Sequence, residues 1–146
     1  MKIISFLRKI FTKDDIQLMR ELEGVKLGTP ILSIEQNSEF VKLPPSMKKI
    51  FATNIDNEEI FVKNKSNDKY IYVGIANNKI YKIAITADVK LFDYYFYKFK
   101  RIYGNPNVNN EIYFKWEDDI TGLEIFYHSI QVNIILTDKI FFRALS

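Results

Sequence analysis

Lys90, Tyr94, Tyr97, Lys98 and Arg101 fall at i, i+4, i+7, i+8 and i+11 of one segment, KLFDYYFYKFKRIYGNP. On a helix that spacing lines all five along one face. Two phenolic rings among three cations make a surface for an acidic or aromatic partner. The rings offer apolar area with a polar tip, and the cations attract carboxylates. The same mixture can stack single-stranded nucleic acid while following its phosphates. The structural alternative is a solvated face whose tyrosines lie flat and whose lysine stems snorkel.

Other chemistry finds little support. The chain has no cysteine, so disulfides, thiolate nucleophiles and Cys-based zinc sites are excluded. His128 is the only histidine and stands in the short connection HS beside Ser129. Sequence neighbours in a turn do not make a triad, because the base must be aimed by a third group. The five glycines, at 24, 28, 74, 104 and 122, are too scattered for a phosphate loop. Glu117-Asp118-Asp119 lacks the alternating oxygen ligands of a calcium loop and reads as a solvated turn. The pairs Asp14-Asp15 and Glu58-Glu59 read as surface features. No catalytic residue, no cofactor and no metal are expected.

Around the cationic stripe the elements are partly legible. Phe92, Tyr95, Phe96, Phe99, Ile102 and Tyr103 form a second stripe on the same segment, and such a stripe normally faces a core. Asp88 is placed to cap the segment, and Gly104 with Pro106 to stop it, which predicts a long helix at about 88 to 103. Before it, KYIYVGI and IYKIAIT flank ANNK and predict a hairpin, with Asn77 and Asn78 suited to positive φ. After it, EIYFKWE, GLEIFY, IQVNIIL and KIFFRAL predict a four-stranded meander. Its inward side would carry Ile112, Phe114 and Trp116, then Leu123, Ile125 and Tyr127. Ile130, Val132, Ile134 and Leu136 follow, then Ile140, Phe142 and Ala144.

Toward the N-terminus, Thr12 to Asp15 has capping-box spacing, and Ile16, Met19 and Leu22 predict a short helix over 13 to 23 closed by Gly24. Ile3, Ile4, Leu7, Ile10 and Phe11 could form a stripe that docks on the domain or rests on a membrane surface. ILSIE and EFVKL could be short strands, MKKIF a helical turn or a strand, and EEIFVK has strand composition. The expected fold is α+β: short N-terminal helices in 1 to 23, then an antiparallel sheet packed by the helix in 24 to 146. With 146 residues, one domain is expected. No uncharged run approaches the ~20 residues of a membrane-spanning helix, and Ile3 to Leu7 is too short for a signal-peptide core. A cytoplasmic protein is expected. The oligomeric state does not follow from the sequence.

Leu27-Gly28, then Tyr103-Gly104-Asn105-Pro106 at a helix end, Trp116 on the next strand and a closing antiparallel meander share a layout. Over about residues 24 to 146, this layout resembles small bacterial α+β proteins of the toxin-immunity type. The resemblance implies a cytoplasmic, non-catalytic protein that binds one toxin domain. A net charge of +3 departs from the acidic immunity proteins that neutralise nucleases. Three function classes follow: a protein-binding domain with an immunity role as its concrete form, a single-stranded nucleic-acid-binding module, and a small-ligand-binding or enzymatic domain.

Overall fold

The computed structural model of the protein describes residues 17–37, 39–44, 57–66 and 68–141. Two strands, β1 (Glu21–Leu22) and β2 (Val25–Lys26), form a small hairpin, and a one-turn helix α1 (Leu32–Glu35) follows. Then come β3 (Val41–Lys42), β4 (Glu59–Ser66), β5 (Lys69–Ala76) and β6 (Lys79–Asp88). A 3₁₀ turn (Val89–Leu91) leads into α2 (Phe92–Tyr103). After α2 come β7 (Val108–Asn110), β8 (Tyr113–Glu117), β9 (Thr121–His128) and β10 (Gln131–Asp138). The described fold is therefore α+β with an antiparallel sheet.

Among the described residues eight strands form one sheet in the order β3-β4-β5-β6-β10-β9-β8-β7. The chain builds inward from one edge to β6 and leaves the centre through α2. It resumes at the far edge and returns to the centre as β10. Residues 82–88 pair antiparallel with residues 131–137 there. The expected hairpin and C-terminal meander are thus two halves of a single sheet.

Strand alternation sorts the residues onto two faces. Cross-strand partners Phe114, Ile125, Ile134, Ile85 and Ile71 form one row on the face that α2 covers. Trp116, Leu123, Leu136, Ile83, Val73 and Phe61 form the next. Every member of both rows is buried. One continuous apolar surface must be covered, and α2 covers one half of it. Leu18, Val25, Leu27 and Ile34 join the same core from the N-terminal segment.

The opposite face carries Tyr70, Thr86, Asn133, Phe126 and Tyr113 in one cross-strand row, all half-buried. Here Tyr81 is buried and stacks on Phe141 at 4.9 Å. Gly74 makes room for that ring, since a Cβ at 74 would meet Tyr81 Cε1 at 3.1 Å. The Tyr113 hydroxyl is pushed up to about 12, first by burial and then by the Glu124 carboxylate. A phenol whose folded pKa exceeds its unfolded value of 10.0 stabilises the fold while neutral. That contribution is complete below the unfolded value and lost as pH rises through the folded one. In an alkaline tyrosinate titration Tyr113 and Tyr72, which burial also raises, should ionise late, and Tyr113→Phe should remove one of those steps. Superimposable curves for the two proteins would contradict this.

Several expectations are corrected. Residues 17–23 are not helical: Glu21 and Leu22 pair with Lys26 and Val25, and Gly24 at φ 79° turns that hairpin. Met19 is exposed, and Leu18 goes inside instead. ILSIE folds as α1 rather than a strand, with the backbone N–H of Glu35 and Gln36 reaching back to Ile31 and Leu32. The last strand of the meander is absent from the described residues. Lys139, Ile140 and Phe141 turn helical after Asp138 Oδ1 accepts from Ile140 N, and the outer edge strand is β7. Ile112 and Ile130 point to water because each sits in a two-residue turn rather than a strand. His128 is the last residue of β9, so the β9–β10 turn is Ser129-Ile130. Glu58 is buried, not a surface acid. The long helix is 15 residues of which only Phe92–Tyr103 are α-helical. The expected helix within 1–11, the capping box at Thr12 and the MKKIF segment lie outside the described residues, as do residues 142–144.

Candidate functional site

Local chemistry starts the 3₁₀ turn ahead of α2 and stops α2 at Gly104. The Asp88 carboxylate accepts from Lys90 N at 2.8 Å, which satisfies one N–H of the opening turn. At the other end Gly104 adopts φ 79°, and its N–H donates to Lys100 O at 2.9 Å. Tyr103 closes the last turn with its ring buried, and its hydroxyl oxygen accepts from Met19 N at 3.2 Å.

Beneath the helix the rings interlock. Phe92 and Phe96 stack at 5.6 Å, Phe96 meets Phe114 at 4.6 Å, and Phe99 meets Trp116 edge-on at 5.9 Å. Trp116 Nε1–H donates to Gly104 O at 2.9 Å, which ties the β8 core to the helix stop. Aromatic contacts of this kind contribute beyond their area and fix the rotation of the helix about its axis.

Rotation decides which residues face water. At 100° per residue, Phe92, Phe96, Phe99 and Tyr103 cluster on one side, and Tyr94, Tyr97 and Arg101 lie roughly opposite. The structure agrees: Tyr94 is 61 % and Tyr97 56 % exposed, and Lys90, Lys98 and Arg101 are exposed too. Lys90 belongs to the 3₁₀ turn rather than to the α-helix. All five residues singled out by spacing lie on the outer side of one helical segment. Ile102 is the exception to the inner stripe. It sits about 80° from the centre of the stripe and is 51 % exposed.

The outer face is ordered by its own contacts. Lys98 Nζ lies 5.9 Å from the Tyr94 ring centroid, a cation–π pair one turn apart. Tyr94 meets Tyr95 edge-on at 5.1 Å, and Tyr97 meets Phe96 edge-on at 5.3 Å. Both exposed phenols are thus braced by buried or half-buried rings. Tyr97, Lys100 and Arg101 line a shallow open depression. Lys100 was missed by the i+4 and i+7 spacing because it flanks the stripe. Its position three residues after Tyr97 was the available signal.

This helical segment concentrates cations that pair with no carboxylate among the described residues, whereas Lys26, Lys65 and Lys79, also outside the ion pairs, are scattered over β2, β4 and β6. Arg20, Lys42, Lys63, Lys69, Lys115 and Lys139 each pair with a carboxylate. Among the described residues, Lys90, Lys98, Lys100 and Arg101 have no carboxylate within ion-pairing distance. The helix itself carries one acid, Asp93, in its first turn.

Elsewhere the polar groups are spent on structure. Asp118 accepts backbone N–H bonds from Leu18, Ile120 and Thr121, so the acidic loop is a pinned turn. Glu117 is held below its ordinary value despite the opposing effect of burial, because Lys115 and Lys139 both reach it. His128 is exposed. Among the described residues no group of three or more His, Cys, Asp or Glu side chains could hold a metal ion, and no helix is long and apolar enough to cross a membrane. Set against known proteins, the chain matches no family, no curated protein and no solved structure.

Proposed function

We propose that the protein is a non-catalytic binding domain that docks an acidic protein partner on the outer face of α2. Its concrete form is a cytoplasmic immunity protein that neutralises a toxin domain. One observation carries this reading: four cations that pair with no carboxylate among the described residues surround two exposed, braced tyrosines on a helix locked from beneath. Such a face arrives pre-ordered, so little side-chain entropy is lost when Tyr94 and Tyr97 are covered. Tyrosine and arginine are the residues in which binding energy concentrates. Unpaired cations raise the association rate for an acidic surface and select against basic ones.

The test is calorimetric titration against the protein encoded by the adjacent gene. Tight binding is expected, with Tyr97→Ala weakening it by about 30-fold, the hot-spot threshold. The pair Lys98→Glu with Arg101→Glu should reduce the association rate and invert its salt dependence. Unchanged affinity in both variants would remove this face from the function. A single-stranded oligonucleotide that binds tightly, with affinity falling steeply as salt rises, would replace the protein reading.

A further inference from the structure

A cleft of about 190 Å³ opens between the β1–β2 hairpin, α1 and β4. Val25, Ile34 and Phe40 form its apolar lining, and Lys63, Asn37 and Ser33 its polar lining. Lys63 is the informative member. Its side chain is 16 % exposed, so its ammonium requires a partner. That partner is Glu39, whose side chain is 63 % exposed. A half-buried cation is therefore neutralised by a carboxylate that stands mostly in water and gives up little when it leaves.

The rest of the cleft suits an anion with an apolar remainder. Lys63 Nζ lies 5.5 Å from the Phe40 ring centroid, so charge and aromatic surface are presented together. Asn37 commits its side-chain oxygen to Glu39 N at 3.0 Å, which leaves its amide N–H groups as donors. The Ser33 hydroxyl is already donated to Pro30 O at 2.7 Å. Lys26 adds a second cation to the lining, and Glu23, the carboxylate there, is already paired with Lys69 at 2.7 Å. Lys63 already holds a carboxylate, that of Glu39, so the position fits that group. The volume lies below the ~300 Å³ of drug-sized pockets, which restricts the ligand to a few carbons.

We propose that this cleft is a binding site for a small carboxylate, which takes the place of Glu39 on Lys63 and rests its apolar end on Val25, Ile34 and Phe40. Glu39 is then an internal competitor that keeps the cation neutralised when the site is empty. The site stands apart from the α2 face, so its failure would leave the docking proposal untouched.

Amide NMR titration of the full chain with butyrate tests it, with butanol and inorganic phosphate as comparisons. Butyrate should shift the amides of Ile34, Asn37 and Phe40, and butanol should not. Glu39→Gln removes the competitor and should tighten butyrate binding by about threefold, the scale of one partly exposed ion pair. Lys63→Met should abolish it. Equal binding of butanol, equal binding of phosphate, or an unchanged affinity in Glu39→Gln would each overturn the assignment. The last of these remains decisive if Lys63→Met fails to fold.

Discussion

Trp116→Ala should destabilise the protein by about 3–5 kcal/mol, the usual cost of deleting a buried aromatic ring. Trp116 is 2 % exposed and lies where β8 meets α2. Its ring contacts Phe99 at 5.9 Å and Phe96 at 5.9 Å, and its N–H satisfies Gly104 O. Alanine empties that volume and leaves the carbonyl at the helix stop without its donor. Domains of this size are stable by about 5–15 kcal/mol, so a large fraction of the margin is lost. Urea denaturation followed by circular dichroism reads the effect, because the substitution removes the only tryptophan fluorophore. Trp116→Phe retains most of the volume and loses the hydrogen bond, and should cost about 1–2 kcal/mol. A loss below about 1 kcal/mol for alanine would mean that α2 is held by something other than this ring cluster.

Arg20→Met should cost about 2–4 kcal/mol, toward the lower end of the range for breaking a buried pair, because the Arg20 side chain is 27 % exposed. Its guanidinium spans three acceptors: Asp138 Oδ2 at 3.0 Å, and Ile120 O and Thr121 Oγ1 at 2.9 Å each. Asp138 and Thr121 are buried, so removal of the cation strands a carboxylate away from water. Arg20→Lys keeps the charge and loses the fork, and should recover only part of the loss. The damage should be local first. Leu18 N donates to Asp118 and Leu27 N to Arg20 O, so both amides should exchange faster in Arg20→Met while the β6 and β10 amides stay protected. Uniform acceleration across the sheet would show that the N-terminal segment and the sheet unfold as one unit.

How much was legible in the chain follows from where local pattern and tertiary context agree. Asn77 and Asn78 at φ 51° and 62° and the Asp88 cap are local signals, and they appear as read. The α2 stripe was also legible, because its rotation follows from spacing alone. Failures fall where a short apolar run could serve either state. ILSIE has strand composition, yet it forms one helical turn because Pro30 is bridged to Lys79 and the chain must bend away from the β5–β6 turn. Ile16, Met19 and Leu22 mimic a helix, but Arg20 and Leu18 are drawn to Asp138 and Asp118, about a hundred residues away, and no local pattern encodes that. Ile112 and Ile130 were read as core because alternation does not mark where a strand stops. The outer-face residues of α2 were visible because exposure follows from the helical period. The Lys63 cleft was not, since it is assembled from three separate segments.

The pairing of residues 82–88 with residues 131–137 has a kinetic consequence. The β5–β6 and β9–β10 hairpins close over tight turns and can form within microseconds, independently of each other. The β6–β10 seam must instead bring distant parts of the chain together, and loop-closure entropy opposes it until the intervening rings settle. Refolding should therefore run at the slow pace of non-local β topologies. Substitutions along the seam, such as Ile134→Val, should slow folding more than they speed unfolding if that seam is the nucleus.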